Sequence, residues 1–270
     1  LRSSFLEALA RGPVVVSSPT GSGKSTEVPR WCEGRVLVIE PRRVACRSLA
    51  ARVAELEGSA LGDTVGFVVR DESVMNAATR IVFATPGIAL RDAKLVASAN
   101  VIVLDEFHER SLVVDLLLAL LLRKRAPGTG LVVMSATIEG ERVAKHVGGE
   151  YLVAEGRTFP VDIRAIEPGN ALPEANDLPA RVVKALDRSR GDAGDVLVFL
   201  PGKSEIETCR RMLEGHADGF TVVTLHGGLS MDEQRRAFER TRTRKVILAT
   251  NVAETSITIP GVGVVIDSGL

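Results

Sequence analysis

Short apolar runs alternate with helix-like segments along the whole chain, and this alternation restricts the fold more than any other feature. The runs are rich in β-branched residues, as expected for strands that are buried on both faces. In the first half they are Val14–Ser17, Val36–Ile39, Ile81–Ala84, Val101–Leu104 and Leu131–Met134. Helical patterns lie between them, for example over Arg43–Glu57 and Leu112–Lys124. The alternation predicts an α/β fold with a mainly parallel sheet.

A second series of the same kind begins after about residue 165. Its predicted strands are Val196–Leu200, Thr221–Leu225, Lys245–Ala249 and Val262–Ile266, and its predicted helices are Ala180–Arg188, Ser204–Glu214 and Asp232–Arg240. A chain of 270 residues is long for one core. We therefore expect two α/β lobes, residues 1–157 and 158–270, joined within the proline-containing stretch Glu155–Asp177. One large sheet is the alternative.

Composition excludes several classes of protein. The net charge is zero, so the chain lacks the basic excess of a protein that simply coats nucleic acid. The longest apolar stretch, Leu112–Leu122, is too short for a membrane span, and no signal peptide is visible. The cysteines lack metal-binding spacing and are expected to be reduced thiols of a cytoplasmic protein; they are Cys32, Cys46 and Cys209. Because the first residue is leucine, we expect a segment of a longer protein.

The strongest motif follows the first strand, where residues 17–26 read SSPTGSGKST. A strand, a glycine-rich loop and a helix in this order form a P-loop, whose backbone N–H groups bind phosphate oxygens. Lys24 is expected to reach the β- and γ-phosphates, and the Ser25 hydroxyl to bind Mg²⁺. Ser18 stands where the strict pattern G-x-x-x-x-G-K-S/T has glycine. The predicted nucleotide-binding residues are Thr20, Gly21, Ser22, Gly23, Lys24, Ser25 and Thr26.

A second motif follows the strand Val101–Leu104, which ends in Asp105 and Glu106. A buried strand ending in two acids is the Walker B arrangement, in which the first acid holds Mg²⁺ through water. The second acid is then placed to deprotonate the attacking water. We predict that Lys24, Asp105 and Glu106 are catalytic and that His108 couples the site to other motifs. Taken alone, the two acids fit a surface strand end equally well.

Asp105–His108 resembles the DEAH-box signature of superfamily 2 helicases, and Asp105–Leu112 resembles the bacterial HrpB-type members. Other family motifs follow in order over nearly the whole chain. They are Pro41–Arg43 (motif Ia), Ala84–Gly87 (Ib), Ser135–Thr137 (III), Val198–Gly202 (IV) and Thr250–Thr258 (V). Motif VI, which carries arginines that reach the γ-phosphate, does not occur before Leu270.

The resemblance implies two RecA-like lobes of the P-loop NTPase class, the second of them incomplete. It implies an enzyme, an ATP-dependent RNA helicase that uses ATP and Mg²⁺ to move along or unwind nucleic acid. The implied partner is a single strand, RNA rather than DNA, and no membrane is involved. This chain is expected to be a slow ATPase, since the motif VI arginines are not in it.

The resemblance also implies individual roles. Nucleic-acid contacts are implied for Arg42, Arg43, Thr85, Gly87, Gly227, Gly228, Thr255 and Ser256. Ser135 and Thr137 would relay the state of the γ-phosphate, and Arg52 (or Arg47) with Phe238 would enclose adenine. Pro260 stands where the family has an acid near the ribose. These residues also have purely structural interpretations. The arginines would form a solvated face of one helix, and Ser135 would cap the start of a helix.

Two other functions remain open from the sequence. A P-loop ATPase that remodels protein partners would hydrolyse ATP regardless of nucleic acid, and motifs III and V argue against it. A binding module that uses nucleotide only to clamp RNA would bind without turnover, as the missing motif VI suggests for this chain.

Overall fold

The structure is a computed structural model. It describes residues 1–19, 21–136, 140–154, 160–165, 177–215, 219–253 and 259–270. The chain divides into two compact units, unit 1 (Leu1–Phe159) and unit 2 (Pro160–Leu270). Among the described helices, none is both long and apolar enough to span a bilayer.

Unit 1 is built on one eight-stranded sheet. Its strands are β1 (Val14–Ser17), β2 (Val36–Ile39), β3 (Val65–Val69), β4 (Glu72–Val74), β5 (Ile81–Ala84), β6 (Val101–Leu104), β7 (Gly130–Ser135) and β8 (Glu150–Val153). The strand order is β4-β3-β5-β2-β6-β7-β1-β8. Only the β3–β4 pairing is antiparallel among these described strands. The central strands β1, β2, β5 and β6 are buried along their whole length, which explains their unbroken apolar sequences.

Helices cover the sheet of unit 1. They are α1 (Arg2–Arg11), α2 (Lys24–Trp31), α3 (Arg43–Leu56), α4 (Pro86–Arg91), α5 (Ala93–Ala97), α6 (Leu112–Lys124) and α7 (Gly140–Val147). A short 3-10 turn, Phe107–Glu109, lies between β6 and α6. One core cluster joins sheet residues such as Leu37 and Leu104 to Leu117 and Leu121 of α6. This packing holds the strand ends of the sheet in place.

Unit 2 has a four-stranded parallel sheet. Its strands are β9 (Asp195–Phe199), β10 (Phe220–Leu225), β11 (Arg244–Ala249) and β12 (Val262–Asp267), in the order β10-β11-β9-β12. Its helices are α8 (Leu178–Arg188), α9 (Lys203–Glu214) and α10 (Met231–Phe238), and a short 3-10 turn covers Asn251–Ala253. Cores on both faces of the sheet include Val198 and Leu248 on one face and Ile247 and Leu225 on the other.

The predicted fold class of two α/β lobes with parallel sheets is confirmed. Every strand predicted from the sequence is present, with ends that differ by no more than a residue. The structure adds β3, β4 and β8. A tight turn joins β3 to β4, and Asp71 in this turn adopts a left-handed conformation with φ 64°. At the other end of this pair, β3 has Gly66, where a Cβ would lie 2.2 Å from the Val74 carbonyl oxygen at the end of β4.

Candidate active site

The predicted phosphate, metal and nucleic-acid residues of unit 1 follow the carboxyl ends of five strands that are adjacent in the sheet. These strands, in order, are β5, β2, β6, β7 and β1. Because all five run parallel, the residues that follow them meet at one edge, where open α/β sheets bind their ligands. The loop after β1 and the acids after β6 occupy one part of this edge. The residues after β2 and β5 occupy the other.

The loop between β1 and α2 has the backbone that phosphate binding requires. Gly21 (φ 77°) and Gly23 (φ 85°) are both left-handed, which side chains other than glycine rarely adopt. Lys24 is the first residue of α2, so the helix N-terminus faces the loop. Thr20 lies outside the described residues.

Ser18, which departs from the strict P-loop pattern, is accommodated by hydrogen bonds. Its hydroxyl lies 2.8 Å from the Ser22 hydroxyl, and its N–H donates to the Ser135 carbonyl oxygen at 3.3 Å. Ser18 is buried. The serine therefore ties the phosphate loop to the end of β7, where motif III begins.

Lys24 is held by Glu106 across the site. Its Nζ donates to Glu106 Oε1 at 3.1 Å, and both side chains are more than 90% buried. A buried ammonium needs a partner, and without one the cost is several kcal/mol. The predicted phosphate ligand and the predicted general base therefore neutralise each other in the protein alone.

Asp105 has the features of a metal ligand. It is buried, and its Oδ1 accepts the Glu106 N–H at 2.8 Å. Its Oδ2 is buried without a hydrogen-bond partner among the described residues. Burial and the Glu106 charge raise the pKa of Asp105 to about 6, against the hydrogen bond from Ser25 and the Lys24 charge. A carboxylate oxygen without a partner beside the Ser25 hydroxyl fits Mg²⁺.

Glu106 sits at a strained point of the backbone. Its φ of 46° and ψ of 40° are left-handed, and its carbonyl accepts the Glu109 N–H at 2.9 Å to close the 3-10 turn. Burial raises the pKa of Glu106, while Lys24 opposes the rise; smaller contributions come from Glu109, which raises it, and Arg42, which lowers it.

His108 connects this turn to motif III. Its Nδ1 accepts the Ala136 N–H at 3.3 Å, and the same atom lies 3.3 Å from Glu106 Oε2. Burial lowers the pKa of His108. Because Nδ1 accepts a hydrogen bond, it carries no proton and the imidazole ring is neutral. The contact between Nδ1 and Glu106 Oε2 is therefore not an ion pair. Ser135 ends β7 next to Ala136, whereas Thr137 lies outside the described residues.

The predicted nucleic-acid residues of unit 1 lie along the other part of the edge. Arg42 Nε donates to Glu109 Oε2 at 3.1 Å, and Arg43 Nη2 donates to the Arg70 carbonyl oxygen at 2.8 Å. Thr85 is the N-cap of α4, and Gly87 is exposed in its first turn. Arg42 therefore contacts the 3-10 turn Phe107–Glu109, and this contact was not predicted from the sequence.

The remaining predicted residues are spread over both units. On α3, Arg52 is exposed and pairs with Glu55 at 3.0 Å, whereas Arg47 pairs with Glu72 of β4. Phe238, at the end of α10, packs half-buried against a core of unit 2. Gly227 and Gly228 are exposed in the loop after β10. Thr255 and Ser256 lie outside the described residues.

Two family models match the chain. The model described as DEAD/DEAH box helicase covers residues 2–146, and the model described as Helicase conserved C-terminal domain covers residues 177–270. The chain belongs to the DEAD/DEAH box helicase family. The family resemblance found from the ordered motifs is thereby confirmed.

Individual relatives agree with this assignment. The chain is 39% identical to "Probable ATP-dependent RNA helicase DHX35" of Homo sapiens, over 95% of this chain and 41% of that protein. It is 38% identical to "ATP-dependent RNA helicase HrpB" of Escherichia coli, over 97% of this chain and 34% of that protein. The crystal structure of Escherichia coli DEAH/RHA helicase HrpB superposes with a TM-score of 0.85 at 34% identity, over 98% of this chain and 36% of that one. The helicase-family chain thus spans well under half the length of these relatives.

Two acidic residues of the site were missed by the sequence analysis. Glu40, directly after β2, is fully buried, and its Oε1 accepts the Arg42 N–H at 3.2 Å. Glu109 pairs with Arg42. For Glu109 a signal was available, since it lies three residues after Glu106 and one helical turn places it back over that residue. Nothing in the sequence sets Glu40 apart from an ordinary strand end.

Proposed function

We propose that this chain is the ATP-hydrolysing core of an RNA helicase, with residues 1–157 and 158–270 as its two lobes. The observation that carries the proposal is the set of buried groups at one sheet edge. Lys24 and Glu106 form an ion pair there, beside an Asp105 oxygen that lacks a partner among the described residues. Charged groups are buried in this way where a highly charged ligand replaces their internal contacts.

Each group has a definite task in hydrolysis. The left-handed loop and Lys24 bind the phosphates, so Lys24 exchanges Glu106 for phosphate oxygens. Glu106 then takes a proton from water as the water oxygen bonds to the γ-phosphorus. The bond from this phosphorus to the β-phosphate oxygen breaks, and ADP and phosphate leave. Ser25 and Asp105 would hold Mg²⁺, which neutralises phosphate charge when it is bound.

The nucleic-acid part of the proposal rests on position and on the relatives. The predicted nucleic-acid residues of unit 1 lie at the same sheet edge as the groups proposed for hydrolysis; they are Arg42, Arg43, Thr85 and Gly87. They suit contacts with a phosphate backbone rather than base recognition. The curated relatives are named RNA helicases, which favours RNA over DNA. Gly227, Thr255 and Ser256 would contribute from unit 2, Ser135 and Thr137 would couple the motifs, and Arg52 with Phe238 would enclose adenine. The proposed setting is the cytoplasm.

Replacing Lys24 tests the nucleotide site. We expect Lys24→Ala to weaken ADP binding by at least about tenfold, because the phosphates lose their buried cation while Glu106 loses its partner. Isothermal titration with Mg²⁺ present measures the affinity. Lys124→Ala is the control. Lys124 is exposed and is the last residue of α6, so the whole helix separates it from the site residues that precede α6. Equal ADP affinity in Lys24→Ala and the parent chain would refute the assigned site.

A further inference from the structure

An ion pair joins the two parts of the sheet edge at which the candidate site lies. Arg42 follows β2 and Glu109 belongs to the turn that follows β6, and these two strands are neighbours in the sheet. Arg42 Nε donates to Glu109 Oε2 at 3.1 Å, with 20% and 18% of the side chains exposed. Partial burial makes such a pair stronger than a fully exposed one.

The backbone N–H of each partner in this pair is itself hydrogen-bonded within the site. On one side the Arg42 N–H donates to Glu40 Oε1, and Glu40 is fully buried. On the other side the Glu109 N–H donates to the Glu106 carbonyl oxygen at 2.9 Å. A displacement of the Glu109 side chain is therefore transmitted through one turn to the residue that acts as the general base.

In the arrangement that the structure shows, Glu106 is not free to take a proton from water. Its Oε1 accepts from Lys24, and Oε2 contacts His108. To activate water, this carboxylate must leave Lys24. The 3-10 turn that carries it is restrained by the Arg42–Glu109 pair, so the pair helps to keep Glu106 where it is.

Phosphate and carboxylate oxygens compete for the same guanidinium. Arginine binds either anion through charge-assisted N–H···O bonds of similar geometry. A backbone phosphate that arrives at Arg42 therefore weakens its bond to Glu109. This step depends on the function proposed above, in which Arg42 contacts nucleic acid.

We propose that Glu109 is a positioning residue through which nucleic acid controls hydrolysis: when a phosphate takes Arg42, the released Glu109 frees the turn that carries Glu106. Without nucleic acid the pair restrains the turn and hydrolysis is slow. With nucleic acid, the restraint that comes from this pair is absent. The pair thus contributes to stimulation by lowering the unstimulated rate.

The test replaces the glutamate by its uncharged isostere. We expect Glu109→Gln to raise the unstimulated rate of ATP hydrolysis about three- to fivefold, a range that a partly exposed ion pair can support. The rate at a saturating single-stranded uridine oligonucleotide should stay within about twofold of the parent, since the pair is already broken there. Phosphate release is measured in both conditions.

A matched control exists in the same unit. Glu57 accepts from Arg30 Nε at 2.7 Å with 22% of its side chain exposed, and it lies outside the catalytic turn. Glu57 also pairs with Arg80 at 3.3 Å. Glu57→Gln therefore makes the same chemical change at a carboxylate bound by arginine and should leave both rates unaltered. Thermal unfolding of both variants shows whether a rate change reflects lost stability.

A double-mutant cycle separates positioning from a general structural effect. Arg42→Gln should raise the unstimulated rate as Glu109→Gln does, and the double variant should exceed neither, because both remove one pair. Additive effects, or an unstimulated rate in Glu109→Gln equal to that of the parent, would overturn the inference while stimulation of the parent upheld the proposed function. A parent chain whose hydrolysis ignores the oligonucleotide would overturn the proposed function, and the inference with it.

Discussion

Glu106 shows how a single residue combines strain with function. A left-handed conformation costs a residue with a side chain roughly 1–2 kcal/mol. Here two hydrogen bonds offset it, one from its N–H to Asp105 Oδ1 and one from the Glu109 N–H to its carbonyl. The strained backbone turns the Glu106 carboxylate back over the site towards Lys24, while Asp105 Oδ2 is left without a hydrogen-bond partner among the described residues.

Replacement of Glu106 by glutamine separates binding from chemistry. The amide keeps the shape of the side chain but cannot take a proton, so we expect the rate of ATP hydrolysis to fall about 10²- to 10⁴-fold. ADP should bind at least as tightly, since Lys24 no longer has to leave a carboxylate. Phosphate release and ADP titration measure the two effects. Hydrolysis at the parent rate would exclude Glu106 as the general base.

At the level of residues, the sequence predicted the position of those groups that belong to a local pattern. The glycines at 21 and 23, Lys24, and the acids at 105 and 106 all follow strands at fixed spacing. The Arg42–Glu109 pair could not be predicted, because it joins residues 67 positions apart. Such a contact depends on which strands become neighbours in the sheet. The strand order cannot be predicted from any single segment of the sequence.

Among the elements, α10 depends on a contact with a strand. Lys245 of β11 is buried, and its Nζ donates to the carbonyl oxygens of Ala237 at 2.8 Å and Glu239 at 2.6 Å. These carbonyls end α10, where a positive charge complements the helix dipole. The helix therefore stops at Phe238, two residues before the predicted end.

Replacement of Lys245 by methionine tests this cap. The two carbonyls would lose their donor and Asp195, 3.5 Å away, its neighbouring charge, so we expect unit 2 to lose about 2–4 kcal/mol of unfolding free energy. Hydrogen exchange of the α10 amides reports the loss locally. Lys184→Met, an exposed lysine of α8, serves as the control. Unchanged exchange in α10 would show that the cap is not needed.

Periodicity found the elements that are long or fully buried and missed those defined by pairing. The buried strands have continuous apolar sequences that no exposed segment could carry. By contrast, β4 is partly exposed and is a strand only because Phe67 and Val69 of β3 pair with it. The end of α10 was misplaced because its cap comes from β11, beyond the reach of a local pattern.

At the scale of the whole molecule, the parallel sheet of unit 1 sets the mechanism. Five adjacent strands bring the phosphate loop and the residues proposed as metal ligand, general base and nucleic-acid contacts to one edge. The groups proposed to hydrolyse ATP and those proposed to hold RNA therefore follow neighbouring strands of the sheet. Coupling between them needs only contacts such as Arg42–Glu109, which join the loops of adjacent strands.

We expect ATP hydrolysis in this chain to respond to single-stranded nucleic acid. The most direct measurement is the rate of phosphate release with uridine and thymidine oligonucleotides at several salt concentrations. We predict stimulation that is greater with RNA, and an apparent affinity that falls with salt at a log–log slope of about −0.7 per phosphate contact. Hydrolysis that proceeds equally with and without nucleic acid would contradict the proposed helicase function and favour an ATPase that acts on protein.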